Sequence, residues 1–76
     1  MLTLAKAEEG RGYIVKDING DARFISRITS VGITTGAILK VVRNVKSLPL
    51  LIYSRDTMLA INKKEANNIH VEVNDI

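Results

Sequence analysis

A chain of 76 residues has room for one domain, and 46% hydrophobic residues place it among globular rather than disordered sequences. It contains no cysteine, which excludes disulfides and thiolate metal sites. The formal charge of +3 favours acidic partners, but the basic residues are spread from Lys6 to Lys64, with only Lys63 and Lys64 adjacent, as on an ordinary solvated surface.

The first twenty residues never string together seven apolar side chains, so a secretory leader is not expected. No stretch approaches the roughly 18 apolar residues of a membrane span. The expectation is a cytoplasmic protein that does not insert into a membrane. Residues 12–18, GYIVKDI, are rich in β-branched and aromatic types and predict a strand. Asn19-Gly20 is ordinarily a hairpin signal, but the hydrophobic period changes after it from two to 3.6. Phe24, Ile25, Ile28 and Val31 fall within an arc of about 120° on a helical wheel, opposite Arg23, Ser26, Arg27 and Ser30. Asp21 is placed to cap this helix and to complement the positive end of its dipole. The step from 19 to 21 therefore turns a strand into a helix.

Gly32 stands one place beyond the last apolar helical position, where a left-handed residue ends a helix without a Cβ penalty, and Ile33 would then fold back on the last turn. Thr34-Thr35-Gly36 make a second bend. Phosphate loops place glycines between a strand and the start of a helix, the reverse of this order, and no GK[ST] follows. Gly32 and Gly36 are therefore read as structural turns. Three strands follow, at 37–45, 48–55 and 58–62, with Pro49 at a strand start or edge and a tight turn at Asp56-Thr57. Residues 63–69, KKEANNI, predict a polar helical turn anchored by Ile69. The closing HVEV alternates, with Val71 and Val73 inward and His70 and Glu72 outward. Apolar residues on both faces of the central strands, as at Ile38, Leu39, Val41 and Val42, suit a sheet that closes on itself. The predicted fold is mainly β: a small, partly open five-stranded barrel. One amphipathic helix lies between its first and second strands, and a short helical turn precedes the last.

No catalytic constellation can be assembled around the single histidine, His70, and no enzymatic activity is expected. His70 and Glu72, two apart on one strand face, are weak metal candidates at best, since tight transition-metal sites commonly take three or four ligands. No cofactor is called for. Stacking on single-stranded nucleic acid needs strand-borne aromatics, and Tyr13, Phe24 and Tyr53 are all read as packing residues. Only weak, salt-sensitive affinity for nucleic acid is left open.

The order of these features resembles the ferrous iron transport protein A (FeoA) family, from about Leu4 to Val73. The first matching block is ISRITSVGITTGAILKV, with Arg27 and Ile28 in the helix, then Val31-Gly32-Ile33, Thr34, Gly36 and Ile38. The second is Pro49 before LLIY, and the third is LAINKKEANNIHVEV, with Leu59, Ala60, Ile61, Glu65-Ala66, Ile69 and Val71 at family positions. The sequence departs from the family pattern where Val31 replaces leucine or methionine, Thr35 replaces proline, and Asp56 replaces glycine. The resemblance implies one SH3-like domain over residues 1–76. It also implies a cytosolic accessory of Fe²⁺ uptake that acts with the membrane transporter FeoB at its cytosolic GTP-binding region.

The expected function is accordingly that of a non-enzymatic adaptor, recruited to the inner face of the membrane by its partner. Its docking surface is expected on the outer rim of the helix and the following loop, at Arg23, Arg27, Val31, Ile33 and Thr34. One alternative is a free-standing interaction domain like the C-terminal domain of metal-dependent transcriptional repressors, and a second is a weak nucleic-acid binder. Pairing through edge strands leaves a homodimer open as well.

Overall fold

The computed structural model describes residues 1–75. Six strands form one antiparallel sheet: β1 (Leu2–Thr3), β2 (Gly12–Ile18), β3 (Ile38–Arg43), β4 (Leu50–Ser54), β5 (Thr57–Ile61) and β6 (Ile69–Val73). Their spatial order is β1-β6-β2-β3-β4-β5. Helix α1 (Ala22–Ser30) joins β2 to β3, and the single turn α2 (Lys63–Ala66) joins β5 to β6. The last strand thus returns to lie between the first two, pairing with β2 from Tyr13↔Val73 to Ile18↔Ile69. Register shifts interrupt the β2–β6 ladder between Val15 and Asp17 and the β3–β4 ladder between Val41 and Arg43. An extra residue bends its strand and raises the local twist, so these irregularities curl the sheet toward a barrel. Between β1 and β5 the barrel stays open.

The junction from β2 to α1 forms as predicted. Asp21 caps the helix, its Oδ1 accepting the Phe24 N–H at 2.8 Å. At the other end, Gly32 adopts φ +101°. Its N–H donates to the Thr29 carbonyl at 3.0 Å, and the Ile33 N–H donates to the Ile28 carbonyl at 3.2 Å. These two bonds make a Schellman cap, whose usual apolar contact is supplied by Ile28 and Ile33 within one buried cluster. Gly36 also has positive φ, and its N–H bonds back to the Val15 carbonyl at 2.8 Å.

The structure corrects several sequence expectations. Val31 does not complete the buried helical stripe but is 48% exposed. As the C-cap it has φ −90° and ψ 3°, outside the helical region, and the turn at Gly32 sends Ile33 into the core in its place. Strand β3 alternates rather than burying both faces: Leu39 and Val41 point inward, while Ile38 and Val42 are exposed. The open sheet has nothing among the described residues to cover its outer side there. Val73 is exposed as well, because it ends β6 past the last side chain that the core covers. The hairpin turn is Arg55-Asp56, with φ of 52° and 61°, and β5 already begins at Thr57. Positive φ at both central residues and the closing pair Ser54↔Thr57 make it a two-residue type I′ turn.

The sheet has six strands, one more than predicted. The addition is β1, followed by a 3₁₀ turn at Leu4–Lys6. This segment buries Leu4 and Ala7 completely or nearly so. Side-chain hydrogen bonds fasten it, and the residues just after it, to the rest of the domain. Asn44 Nδ2 donates to the carbonyls of Ala5 (3.1 Å) and Ala7 (2.7 Å), the Glu9 carboxylate accepts the Asn44 N–H (2.8 Å), and the Tyr13 hydroxyl accepts the Glu8 N–H (2.8 Å). Tyr13 is a packing residue as predicted, whereas Tyr53 stands 41% exposed on the outer side of the sheet.

Candidate functional site

Helix α1 has its apolar side on the core, with Ile28 buried and Phe24 and Ile25 half-buried. Its polar side therefore faces outward, and there α2 comes alongside. Asn62 caps α2 by accepting the Glu65 N–H at 2.7 Å. That cap aims Glu65 at α1, where its Oε2 accepts a hydrogen bond from Arg27 Nη2. The Arg27 guanidinium also lies 5.7 Å from the centre of the Phe24 ring, within range of a cation–π contact. Arg27 is thus held from two sides although it is exposed.

Between the two helical elements lies an open groove of about 350 Å³. It is lined by Arg23, Phe24, Arg27, Lys64, Glu65 and Asn68, together with Gly20 and Asp21. The two carboxylates are already engaged, Asp21 with the helix N-terminus and Glu65 with Arg27. Arg23 and Lys64 have no hydrogen-bond or ion-pair partner among the described residues, so the groove presents net positive charge beside an aromatic ring. Such a surface suits a carboxylate-bearing peptide segment, which arginine grips through its planar fork.

Of the residues read from the sequence as a docking surface, Arg23 and Arg27 line this groove, and Val31 is exposed at the far end of the helix. Thr34 is half-buried, and its carbonyl accepts the Ala37 N–H at 2.9 Å. Ile33 is a correction. It has no exposed surface at all, because the Schellman cap folds it against Ile28, and it serves packing. Lys64 and Asn68 were not foreseen as site residues. The Lys63-Lys64 pair was visible in the sequence, but its place beside α1 depends on a contact spanning 38 residues.

His70 Nδ1 lies 3.2 Å from Asn19 Nδ2 and accepts its hydrogen when the ring proton sits on Nε2. Glu72 is exposed on the same strand. Among the described residues, no group of three or more His, Cys, Asp or Glu side chains is placed to hold a metal ion. Among the described residues, no helix is long and apolar enough to cross a membrane.

Six short antiparallel strands, curled by bulges and left open at one seam, with an amphipathic helix between β2 and β3, define an SH3-like domain. Solved structures share this arrangement. A crystal structure described as the iron uptake regulatory protein FeoA superposes with a TM-score of 0.86 at 26% identity, covering 95% of each chain. Stenotrophomonas maltophilia FeoA complexed with zinc, described as a procaryotic SH3 domain protein, gives 0.81 at 21% identity, covering 95% of this chain and 91% of that one. The manganese regulator SloR gives 0.84 at 16% identity, with 96% of this chain matching 34% of the regulator. The last two are likenesses of fold. In sequence, residues 2–73 match the FeoA domain. A Methanocaldococcus jannaschii protein provisionally named Fe(2+) transport protein A is 39% identical over 72 residues, covering 95% of this chain and 87% of its own length. The chain belongs to the FeoA family.

Proposed function

We propose that this protein is a non-enzymatic accessory of ferrous iron transport. It docks on the cytosolic GTP-binding region of a FeoB-type transporter and biases one of the transporter's conformational states. The observation that carries this reading is the family match over residues 2–73, with the M. jannaschii Fe(2+) transport protein A as a relative covering nearly the same span. The name of the S. maltophilia structure, which offers that protein as a candidate activating factor for ferrous iron transport, points the same way.

The contact surface is the outer side of α1, with Arg23 and Arg27 meeting acidic groups of the partner and Val31 and Thr34 flanking them. Arg27 is already oriented by Glu65 and Phe24, so little side-chain entropy is lost when a partner carboxylate joins it.

Titration calorimetry of the protein against the cognate transporter tests both parts. A double substitution of two exposed residues, Arg23→Glu with Val31→Asp, is expected to weaken binding by roughly tenfold or more while the fold is retained. Equal affinity in the folded variant would remove this surface from consideration. If the wild-type chain does not bind the transporter, the accessory reading itself fails.

The fold shared with a manganese regulator supports one second reading, an interaction domain that binds a segment of such a regulator. Titration against the regulator in place of the transporter separates the two.

A further inference from the structure

The two edges of the sheet differ. One is β1, only two residues long and too short to template much pairing. The other is β5, Thr57-Met58-Leu59-Ala60-Ile61, which pairs with β4 without any register shift and, among the described residues, has no strand on its other side. Edge strands are ordinarily protected by a lysine, a proline, a bulge or an inward-pointing charge. None of these occurs in β5.

Its free hydrogen-bonding groups can be identified. In a two-residue hairpin the closing pair exchanges both backbone bonds, and such pairs then alternate along the ladder. Ser54↔Thr57, Ile52↔Leu59 and Leu50↔Ile61 are therefore the bonded pairs, and Met58 and Ala60 turn their N–H and C=O groups to the open side. The side chains of these same two residues stand on the outer face. Met58 is 52% exposed opposite the exposed Tyr53, and Ala60 is exposed opposite the half-buried Leu51.

We infer that β5 pairs with β5 of a second copy of this chain, in an antiparallel two-fold dimer centred on Leu59. In that register Met58 of one copy faces Ala60 of the other, and the reverse, so all four outward groups of each pair find partners. No other alignment of two identical strands lets residues 58 and 60 satisfy each other so completely. Side-chain size is complementary too, since each long methionine meets a small alanine. Across the joined sheets the outer face becomes a continuous apolar row of Tyr53, Met58 and the partner copy's alanine and leucine. The strand carries no charge, so no like-charged pair falls within the contact. A five-residue strand pair covers much less than the roughly 1,200 Å² of a stable standard interface. The dimer is therefore weak, assembling in the micromolar to millimolar range. None of its residues lines the α1–α2 groove, so it stands or falls separately from the transporter reading.

Sedimentation equilibrium of the full chain, from about 10 μM to about 1 mM, should show a reversible monomer–dimer equilibrium. Amide hydrogen exchange at Met58 and Ala60 should slow as concentration rises, while other outward-facing amides keep their rates. Met58→Lys places a charge on the edge at an exposed position and should weaken dimerisation at least tenfold with an unchanged thermal midpoint. Ala60→Lys serves as an independent second variant. A chain that stays monomeric throughout overturns the inference. So does a dimer untouched by either substitution, or exchange at Met58 and Ala60 that ignores concentration. If those amides are protected only when a foreign strand-forming peptide is added, the edge serves another partner and the self-pairing assignment is wrong.

Discussion

Ile33 follows the helix in a stretch that also bears exposed residues, yet the structure gives its side chain no solvent exposure. Replacing it with alanine separates packing from docking. Truncating a buried isoleucine to alanine costs about 2–5 kcal/mol, the lost transfer free energy plus the cavity left behind. A domain of this length has a total stability of roughly 4–11 kcal/mol, so this one change removes a large share of it. At about 4–8 °C per kcal/mol, the thermal midpoint should fall by roughly 8–40 °C. The Schellman bond from the Ile33 N–H to the Ile28 carbonyl is a backbone bond and survives the substitution, so the loss reports on the side chain. Val31→Ala, two residues away but exposed, should change stability by no more than about 0.5 kcal/mol. Urea unfolding of both variants by circular dichroism, with matching slopes, measures the contrast. If Ile33→Ala unfolds at the same urea concentration as Val31→Ala, the assignment of Ile33 to the core is refuted.

Other expectations concern turns and exposed pairs. Gly32→Ala meets no atom within 4 Å, so its cost is backbone strain alone at φ +101°, about 1–2 kcal/mol, to be read from the same urea titration. Asp56→Gly should raise stability by about 0.5 kcal/mol, because φ of 61° suits glycine better than aspartate, even after the loss of the hydrogen bond that Tyr53 donates to Asp56 at 2.8 Å. The same variant should lower the Tyr53 pKa, which that hydrogen bond holds above its ordinary 10.0, and tyrosinate absorbance during alkaline titration will show it. Asp75 accepts hydrogen bonds from Arg11 at 2.8 and 3.3 Å, and they hold its carboxyl below its ordinary 3.8 against an opposing desolvation. A carboxyl depressed in the folded state stabilises above its unfolded pKa and loses that contribution as pH falls through the folded one. Asp75→Asn should thus melt slightly earlier than wild type at neutral pH, with the difference closing as pH drops below 3.8.

Local chemistry settled the strand at 12–18, the Asp21-capped helix and the glycine that ends it, because each depends on neighbours within four or five residues. Capping, helical periodicity and positive φ are properties of short segments, so they could be read directly. The strand predicted at 70–73 and the hairpin of β4 and β5 were legible for the same reason, although β6 begins one residue earlier, at Ile69, and the turn shifted by one residue. The Asp-Thr reading lost to a type I′ turn whose two residues both need positive φ. Which apolar residues lie inside was decided only in three dimensions. Ile38, Val42 and Val73 are as hydrophobic as their buried neighbours, but the open sheet covers one face alone, and no pattern within a strand states how far its outer face is covered. Leu2–Thr3 is too short a pattern to mark a strand, and it exists as one because β6 returns beside it, where Leu2 pairs with Val71. The α1–α2 groove is likewise tertiary. Arg23 and Arg27 were readable as the polar side of a helix, whereas the approach of Lys64 and Glu65 rests on β6 inserting between β1 and β2, which swings α2 up against the helix.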